Sequence, residues 1–313
     1  MMVGIVGAGM SGLACAEALV RNGHTVTLLD KGRGAGGRMS VRRIATPQGE
    51  ASFDHGAQYF TLRDPGFRTR AEDWLARGYI APWQAAGPDA YVGTPGMNAP
   101  VRQMAEGLPV QWAARVTQLT RKGTGWIIHL ETGSVVEADA VVLALPAEQA
   151  AELTASIAPA LAARAQATQT LPCWTVMVAF AERLPITLDC WRGDEGAPLG
   201  WAARNGSKPA RTGPEAWVLQ ASPGWSLQNL EATQDEVIAT LLGALWDRLG
   251  SVATPIVQSA HRWRYARSGT EGSGALWDGD LRLGLCGDWL IGPRVEAAWL
   301  SGTAQAAQIK AST

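Results

Sequence analysis

The segment from Val3 to Arg38, VGIVGAGMSGLACAEALVRNGHTVTLLDKGRGAGGR, constrains this chain more than any other. A short run of β-type pattern passes straight into Gly7-Ala8-Gly9-Met10-Ser11-Gly12, an Ala-rich helical stretch follows, and a second apolar run closes on Asp30. This is the strand-helix-strand unit that holds a dinucleotide. Gly7 turns the chain, Gly9 admits a pyrophosphate to the backbone, and Gly12 lets the helix pack close to the strand. The first helical turn, with Met10 and Ser11, offers free N–H groups and the positive end of the helix dipole. Asp30 can accept both hydroxyls of an adenosine ribose and would repel a 2′-phosphate. A glycine-rich turn alone is weak evidence for such a site; its place between strand and helix, with an acid at the right distance, strengthens it.

Beyond Lys31, the glycines Gly32, Gly34, Gly36 and Gly37 lead to Arg38, Met39 and Ser40. A guanidinium in such a loop can form a bidentate bond to a pyrophosphate, which nicotinamide-binding units usually leave to backbone and water. The loop resembles the GGR motif of the FAD-binding amine oxidase superfamily. A solvated glycine loop is the ordinary alternative.

The 313 residues can bury a large core and suggest two domains. With 27 basic and 28 acidic residues, net charge −1, nothing calls for nucleic acid or an anionic membrane as partner. Cys15, Cys173, Cys190 and Cys286 lack metal-ligand spacing and read as reduced thiols, hence a reducing, cytoplasmic setting. The apolar N-terminus carries the glycine fingerprint without a basic start, so it reads as folded protein rather than leader. No apolar run approaches the roughly 18 residues of a membrane span.

In chain order, a helix is expected from Ser11 to Arg21 with Gly23 as its stop, then a strand from His24 to Leu29. Val41 to Ile44 reads as a strand and Ser52 to Thr61 as a strand entering a glycine bend, with a helix from Asp64-Pro65 to Ala76. Met97 to Gly107 reads as helical. Val110 to Leu119, Gly125 to Glu131 and Val135 to Glu137 read as a three-stranded excursion, and Ala138 to Pro146 as a buried parallel strand. Residues 147 to 170 are helical in pattern. Trp174 to Phe180, Leu199 to Ala203 and Trp217 to Ala221 are expected in a second sheet, with a helix from Asp235 to Leu249. The 14 tryptophans suit either a pocket for a planar ring or a crowded core.

Phe53-Asp54-His55-Gly56-Ala57-Gln58-Tyr59 and His261-Arg262-Trp263-Arg264-Tyr265-Ala266-Arg267 are the chemically dense stretches downstream. In the second, rings and guanidiniums alternate, placing rings on one strand face and arginines on the other. The alternation could line a ring-shaped ligand and bind an anion, or simply put rings in the core and arginines in solvent. RNA stacking is opposed by the neutral net charge. Near the C-terminus a strand from Leu281 to Cys286 ends in Gly287-Asp288-Trp289. Arg294 and a helix from Val295 or Glu296 to Ile309 follow. Asp288 could accept a ribityl or ribose hydroxyl, and the helix N–H groups at Val295 and Glu296 could stabilise charge on the pyrimidine of a reduced flavin.

Together GAGMSG with Asp30, DKGRGAGGRMS, FDHGAQYFT, RNGSKP, HRWRYAR and LCGDWLIGPRVEAAWLSG cover nearly the whole chain and resemble bacterial renalase-type FAD oxidoreductases of the amine oxidase superfamily. The outer fingerprints are superfamily-wide, and the three inner ones are more specific. The resemblance implies an α/β fold, α+β overall. A Rossmann-type FAD-binding domain (1–61, 97–150 and 278–313) would carry a mixed-sheet substrate domain (62–96 and 151–277), in the topology shared by amine oxidases and p-hydroxybenzoate hydroxylase. It implies noncovalent FAD, contacts from His55, Gly56, Ala57 and Gln58, an adenine contact at Val116, and oxidation of 2- or 6-dihydroNAD(P) to NAD(P)+ with O2 giving H2O2.

Tyr59, His261, Trp263, Tyr265, Trp289 and Asn205 would shape the pocket, and Arg204 or Lys208 would attract phosphate. Hydride loss from a dihydropyridine leaves an aromatic pyridinium, so no general base is needed. Of the four lysines, Lys31, Lys122, Lys208 and Lys310, only Lys208 could play the lysine part found in amine oxidases. An amine oxidase or desaturase, and a non-catalytic nucleotide sensor, are the competing functions.

Overall fold

The structure, a computed structural model, describes residues 1–194 and 196–311. Its first sheet has six strands in the spatial order 276–278, 283–285, 140–143, 2–6, 25–29 and 110–111. Five run parallel and the edge strand Leu276–Asp278 runs against them. The strand Ala140–Leu143 is buried throughout, as an all-apolar run flanked by parallel neighbours must be.

Side-chain alternation divides this sheet between two cores. Val3, Ile5, Leu28 and Val142 pack with the helix Met10–Arg21, whereas Val6, Leu29, Val141 and Leu143 pack with an antiparallel layer of three strands, Val116–Lys122, Gly125–Leu130 and Val135–Ala138. The C-terminal helix Val295–Ala311 crosses Met10–Arg21 at Gly302, where any Cβ would overlap the carbonyl oxygen of Ser11. Both helices therefore lie on the same side of the sheet.

The second sheet has five strands in the order 190–192, 199–204, 215–221, 170–180 and 255–268, antiparallel throughout. The mixed character expected of it belongs to the first sheet instead. One face packs Val176, Val178, Trp217 and Leu219 against the helix Gln234–Leu249. That helix opens on a Thr233/Glu236 capping box and closes on Gly250 at φ +67°. The other face packs Met177, Ala179 and Val218 on Ala51 and Phe53 of the hairpin Val41–Thr46/Gly49–Asp54.

Several elements match their local signals closely. The helix Pro65–Ala76 starts where Asp64 accepts hydrogen bonds from the Gly66 and Phe67 amides. Elsewhere tertiary context intervened. The strand expected over 110–119 is two, because the chain turns at Ala113 (φ 55°) to let the Ala113 and Ala114 amides bond the Gly32 and Asp30 carbonyls. Residues 147–170 form two helices, Ala147–Thr154 and Pro159–Gln166, then enter the strand Thr170–Phe180; Pro159 can open a helix but not continue one. The helix expected over 97–107 is the shorter Ala99–Ala105. Among the described residues no helix is long and apolar enough to cross a membrane.

Candidate functional site

Between the two sheets lies a cavity of about 1730 Å³. Its lining draws on segments far apart in the chain: the first glycine turn, the 36–39 loop, 56–61, the start of strand 116–122, the strand 261–267 and the 287–296 turn. Among the described residues nine lysines and arginines contribute to its lining (31, 38, 63, 115, 192, 262, 264, 267, 294), against the four carboxylates of Asp30, Glu152, Asp288 and Glu296. In a chain of net charge −1 this concentrates positive potential in one concavity, which attracts polyanions.

At the nucleotide end Gly7 takes φ +102°, a conformation that favours glycine. A Cβ at Gly12 would overlap the Gly7 carbonyl oxygen, whereas a Cβ built at Gly9 meets nothing within 4 Å. The backbone at Gly9 is thus open to the cavity, and no side chain caps the helix that begins beside it at Met10 and Ser11. That combination fits a phosphate. Asp30 is anchored by the Ala8 and Gly32 amides, both at 2.7 Å, one on each carboxylate oxygen. Each oxygen keeps a second lone pair for a ribose hydroxyl. Lys31 and Val116 line the same end; burial first, then the nearby Arg115 charge, lowers the Lys31 ammonium, against the pull of Asp30.

Arg38 and Asp288, expected to meet a pyrophosphate and a ribityl hydroxyl respectively, hold each other. The Arg38 guanidinium donates to both Asp288 oxygens, at 2.5 and 2.9 Å, and Ser268 Oγ donates to the same carboxylate at 2.9 Å. With about four acceptor positions on a carboxylate, one remains. Gly37, Met39, Gly287, Arg294, Val295 and Glu296 surround this pair on the cavity wall. The Glu296 carboxylate accepts the Arg63 and Asp64 amides at 2.7 and 3.0 Å, pinning the 63–64 segment to the start of the C-terminal helix.

At the second-sheet end the lining includes Gly56, Ala57, Tyr59, His261, Trp263 and Tyr265, as the sequence pattern anticipates. His261 and Trp263 project from one strand face, their rings 4.5 Å apart, while Arg262 and Arg264 turn to Glu231 at 2.5 and 2.8 Å. Burial, then the charge of Arg42, lowers the basicity of His261.

Seven expected site residues do not line the cavity. Gly12 acts one layer back, through helix contact. His55 is buried behind the wall, 5.1 Å from both His261 and Trp263, and desolvation together with His261 and Arg42 lowers its pKa to about 4. Its imidazole is therefore neutral near pH 7. Gln58 is turned inward: its amide donates to the Gly56 carbonyl at 3.2 Å and its Oε1 accepts from Lys208 Nζ at 3.1 Å. Lys208 is fully buried and shares Asp54 with Arg211, at 3.2 and 2.6 Å. Desolvation would raise Asp54, yet Lys208, Arg211 and the Met97 amide hold it below the usual carboxylate range; burial lowers Lys208 in turn.

Asn205 braces the hairpin, donating to the Ser52 carbonyl at 2.7 Å and accepting from the Asp54 amide at 3.3 Å. Arg204 is 1% exposed, and Asp189, Glu215 and the carbonyls of Leu184 and Ile186 occupy four of its five N–H donors. The guanidinium is thus committed inside the protein, away from the cavity lining. Trp289 is buried in the first-sheet core with its indole N–H on the Leu145 carbonyl. Most of these residues position the 54–58 segment instead, joined there by Trp263 on the His55 carbonyl (2.9 Å) and Gln220 on the Gly56 carbonyl (2.7 Å). Gly56 itself is dictated by the Arg38 carbonyl oxygen, which a Cβ would overlap.

Sequence reasoning missed Trp201, Arg192 and Gln220 on the cavity wall, and Asp54 with Arg211 behind it. Trp201 had a signal, a single large ring among Gly200, Ala202 and Ala203 in a strand. Arg192 had none, since its three-residue edge strand is too short for a period.

Residues 5–76 match the NAD(P)-binding Rossmann-like domain and residues 76–310 match the flavin containing amine oxidoreductase family. Renalase of Mus musculus is 26% identical over 298 residues, covering 84% of each chain. An engineered putrescine oxidase superposes with a TM-score of 0.71 at 16% identity, over 100% of this chain and 99% of its own. Cyclohexylamine oxidase from Brevibacterium oxydans gives 0.71 at 14% identity, over 99% and 98%.

Proposed function

The chain belongs to the flavin containing amine oxidoreductase family, with FAD as cofactor, and from that premise we propose that its electron donor is an isomeric dihydronicotinamide nucleotide, 2- or 6-dihydroNAD(P). FAD supplies the hydride acceptor and, through O2, the route to H2O2. The carrying observation is the charge of the cavity: among the described residues nine cationic side chains line it against four carboxylates, and although Arg38, Arg115, Arg262 and Arg264 are ion-paired, Lys31, Arg63, Arg192, Arg267 and Arg294 are not, which favours a polyanionic donor over an ammonium. Two of those carboxylates, Asp30 and Glu296, are already engaged by backbone amides.

The residues at the second-sheet end suit a donor that needs orientation rather than deprotonation. Tyr59, Trp201, His261 and Trp263 present rings, and among the described residues no carboxylate is interleaved with them on the cavity wall. The lysine an amine oxidase would use has only Lys208 as its counterpart here, and Lys208 is committed to Asp54 behind the wall. Flat rings held by second-layer hydrogen bonds, such as Trp263 on the His55 carbonyl, fix the plane against which a dihydropyridine would stack.

Anaerobic mixing of the purified flavoprotein with 6-dihydroNAD or 2-dihydroNAD should bleach the flavin absorbance rapidly, with ordinary NADH and simple amines far slower. Bleaching by an amine, abolished in Lys208→Met, would instead establish amine oxidation.

A further inference from the structure

We propose that Arg192, seated on Trp201 and held by the Tyr59 hydroxyl, is the docking point for a phosphate of the dinucleotide donor, separate from the phosphate site at Gly9. The inference rests on the donor assignment above and gives it a second anchor.

Arg192 ends the short edge strand Cys190–Arg192 of the second sheet, and it lines the cavity together with Tyr59 and Trp201. Its guanidinium carbon lies 5.2 Å from the centroid of the Trp201 ring, and its Nη2 donates to Tyr59 Oη at 2.8 Å. The Tyr59 and Trp201 rings are 5.8 Å apart and tilted by 40°. The three side chains thus form one pre-set unit, with the cation laid over one ring and tethered to the other.

Its fixing is what distinguishes Arg192. Of the arginines around the cavity, Arg38 is matched by Asp288, Arg115 by Glu131, and Arg262 and Arg264 by Glu231, whereas Arg63, Arg192, Arg267 and Arg294 form no ion pair among the described residues; of these four, Arg192 is the one laid on a ring and tethered by a hydroxyl. Among the described residues Arg192 has no carboxylate within 4.0 Å, and its partner is a neutral hydroxyl that takes one of five N–H donors. A planar guanidinium fixed by stacking, with forked donors to spare, matches a phosphate bidentately and gives up little freedom on binding. Because the strand 190–192 belongs to the second sheet while Gly9, Arg38 and Val295 belong to the first-sheet side, this cation stands apart from the cofactor's glycine turn. The flanking rings add surface for whatever the phosphate carries.

The test compares FAD-loaded wild type, Arg192→Met and Arg192→Lys with two donors, 6-dihydroNAD and the phosphate-free 1-methyl-1,6-dihydronicotinamide, under anaerobic conditions. Equilibrium binding of NAD+ to the oxidised protein is followed by tryptophan fluorescence. Arg192→Met should lower the preference for the dinucleotide over the phosphate-free donor about tenfold, weaken NAD+ by a similar factor and flatten the salt dependence of that binding. Arg192→Lys should recover part of each, as expected for loss of one charged contact at a rim. An unchanged preference and unchanged NAD+ binding in an Arg192→Met protein with full flavin content would overturn the anchor alone. Wild type that neither donor bleaches would remove the donor assignment, and the anchor with it.

Discussion

Asp54 shows best how a single residue can carry a structural load that its neighbours in sequence do not reveal. Its carboxylate, wholly buried, holds Lys208, Arg211 and the Met97 amide at once. Removing it leaves two buried cations with no compensating charge, which costs about 3–5 kcal/mol, whereas removing Lys208 alone leaves a matched Asp54–Arg211 pair. Asp54→Ala should therefore lose far more stability in urea melts than Lys208→Met, and should release FAD as the 54–58 segment loosens. Equal destabilisation by the two variants would show that the cluster is not organised by its carboxylate. The same residues explain what could be read from sequence here. RNGSKP and FDHGAQ stand out as chemically dense motifs, but the partners of Lys208 and Arg211 lie 154 and 157 residues away, so nothing local tells a ligand-binding cation from one sealed in an ion pair. Arg204 was unreadable for the same reason, its acids Asp189 and Glu215 lying on other segments.

At the level of elements the decisive contact is the crossing of Met10–Arg21 and Val295–Ala311. Both helices present their N-terminal turns to the cavity, and their spacing is set where Gly302 meets the Ser11 carbonyl. Gly302→Ala inserts a methyl against backbone, which cannot swing aside, so a loss of about 1–3 kcal/mol is expected from overpacking. Because the displaced helix carries Val295 and Glu296, flavin content per protein should fall in parallel, measured from the ratio of flavin to protein absorbance. Retention of full flavin with lowered stability would show that the two N-termini are positioned independently of this crossing. Elements whose signals are local were legible: Asp64-Pro65 opens its helix, the helix expected to end at Leu249 does end there, and the apolar run read over Ala138 to Pro146 contains the buried parallel strand Ala140–Leu143. The break at Ala113 was not, because the amides on either side of it are bonded to residues 30 and 32.

For the molecule as a whole, the cavity is a joint between two sheets, and its walls come from both ends of the sequence and from the middle. A ligand bridging those walls in the folded state alone adds stability by mass action, about 2.7 kcal/mol at a free concentration one hundred times Kd. Protein stripped of FAD should melt several degrees below the holoprotein, and added FAD should restore the higher transition; identical melting curves would mean that the cofactor does not span the joint. The spatial order of the first sheet adds a constraint on timing. Strand 283–285 docks beside 140–143, and the helix that follows seals against residues 10–21. A ribosome must therefore pass residue 311 before a flavin has a closed place to lodge, and the glycine turn at 7–12 must wait, uncovered, for a partner translated only with residues 295–311.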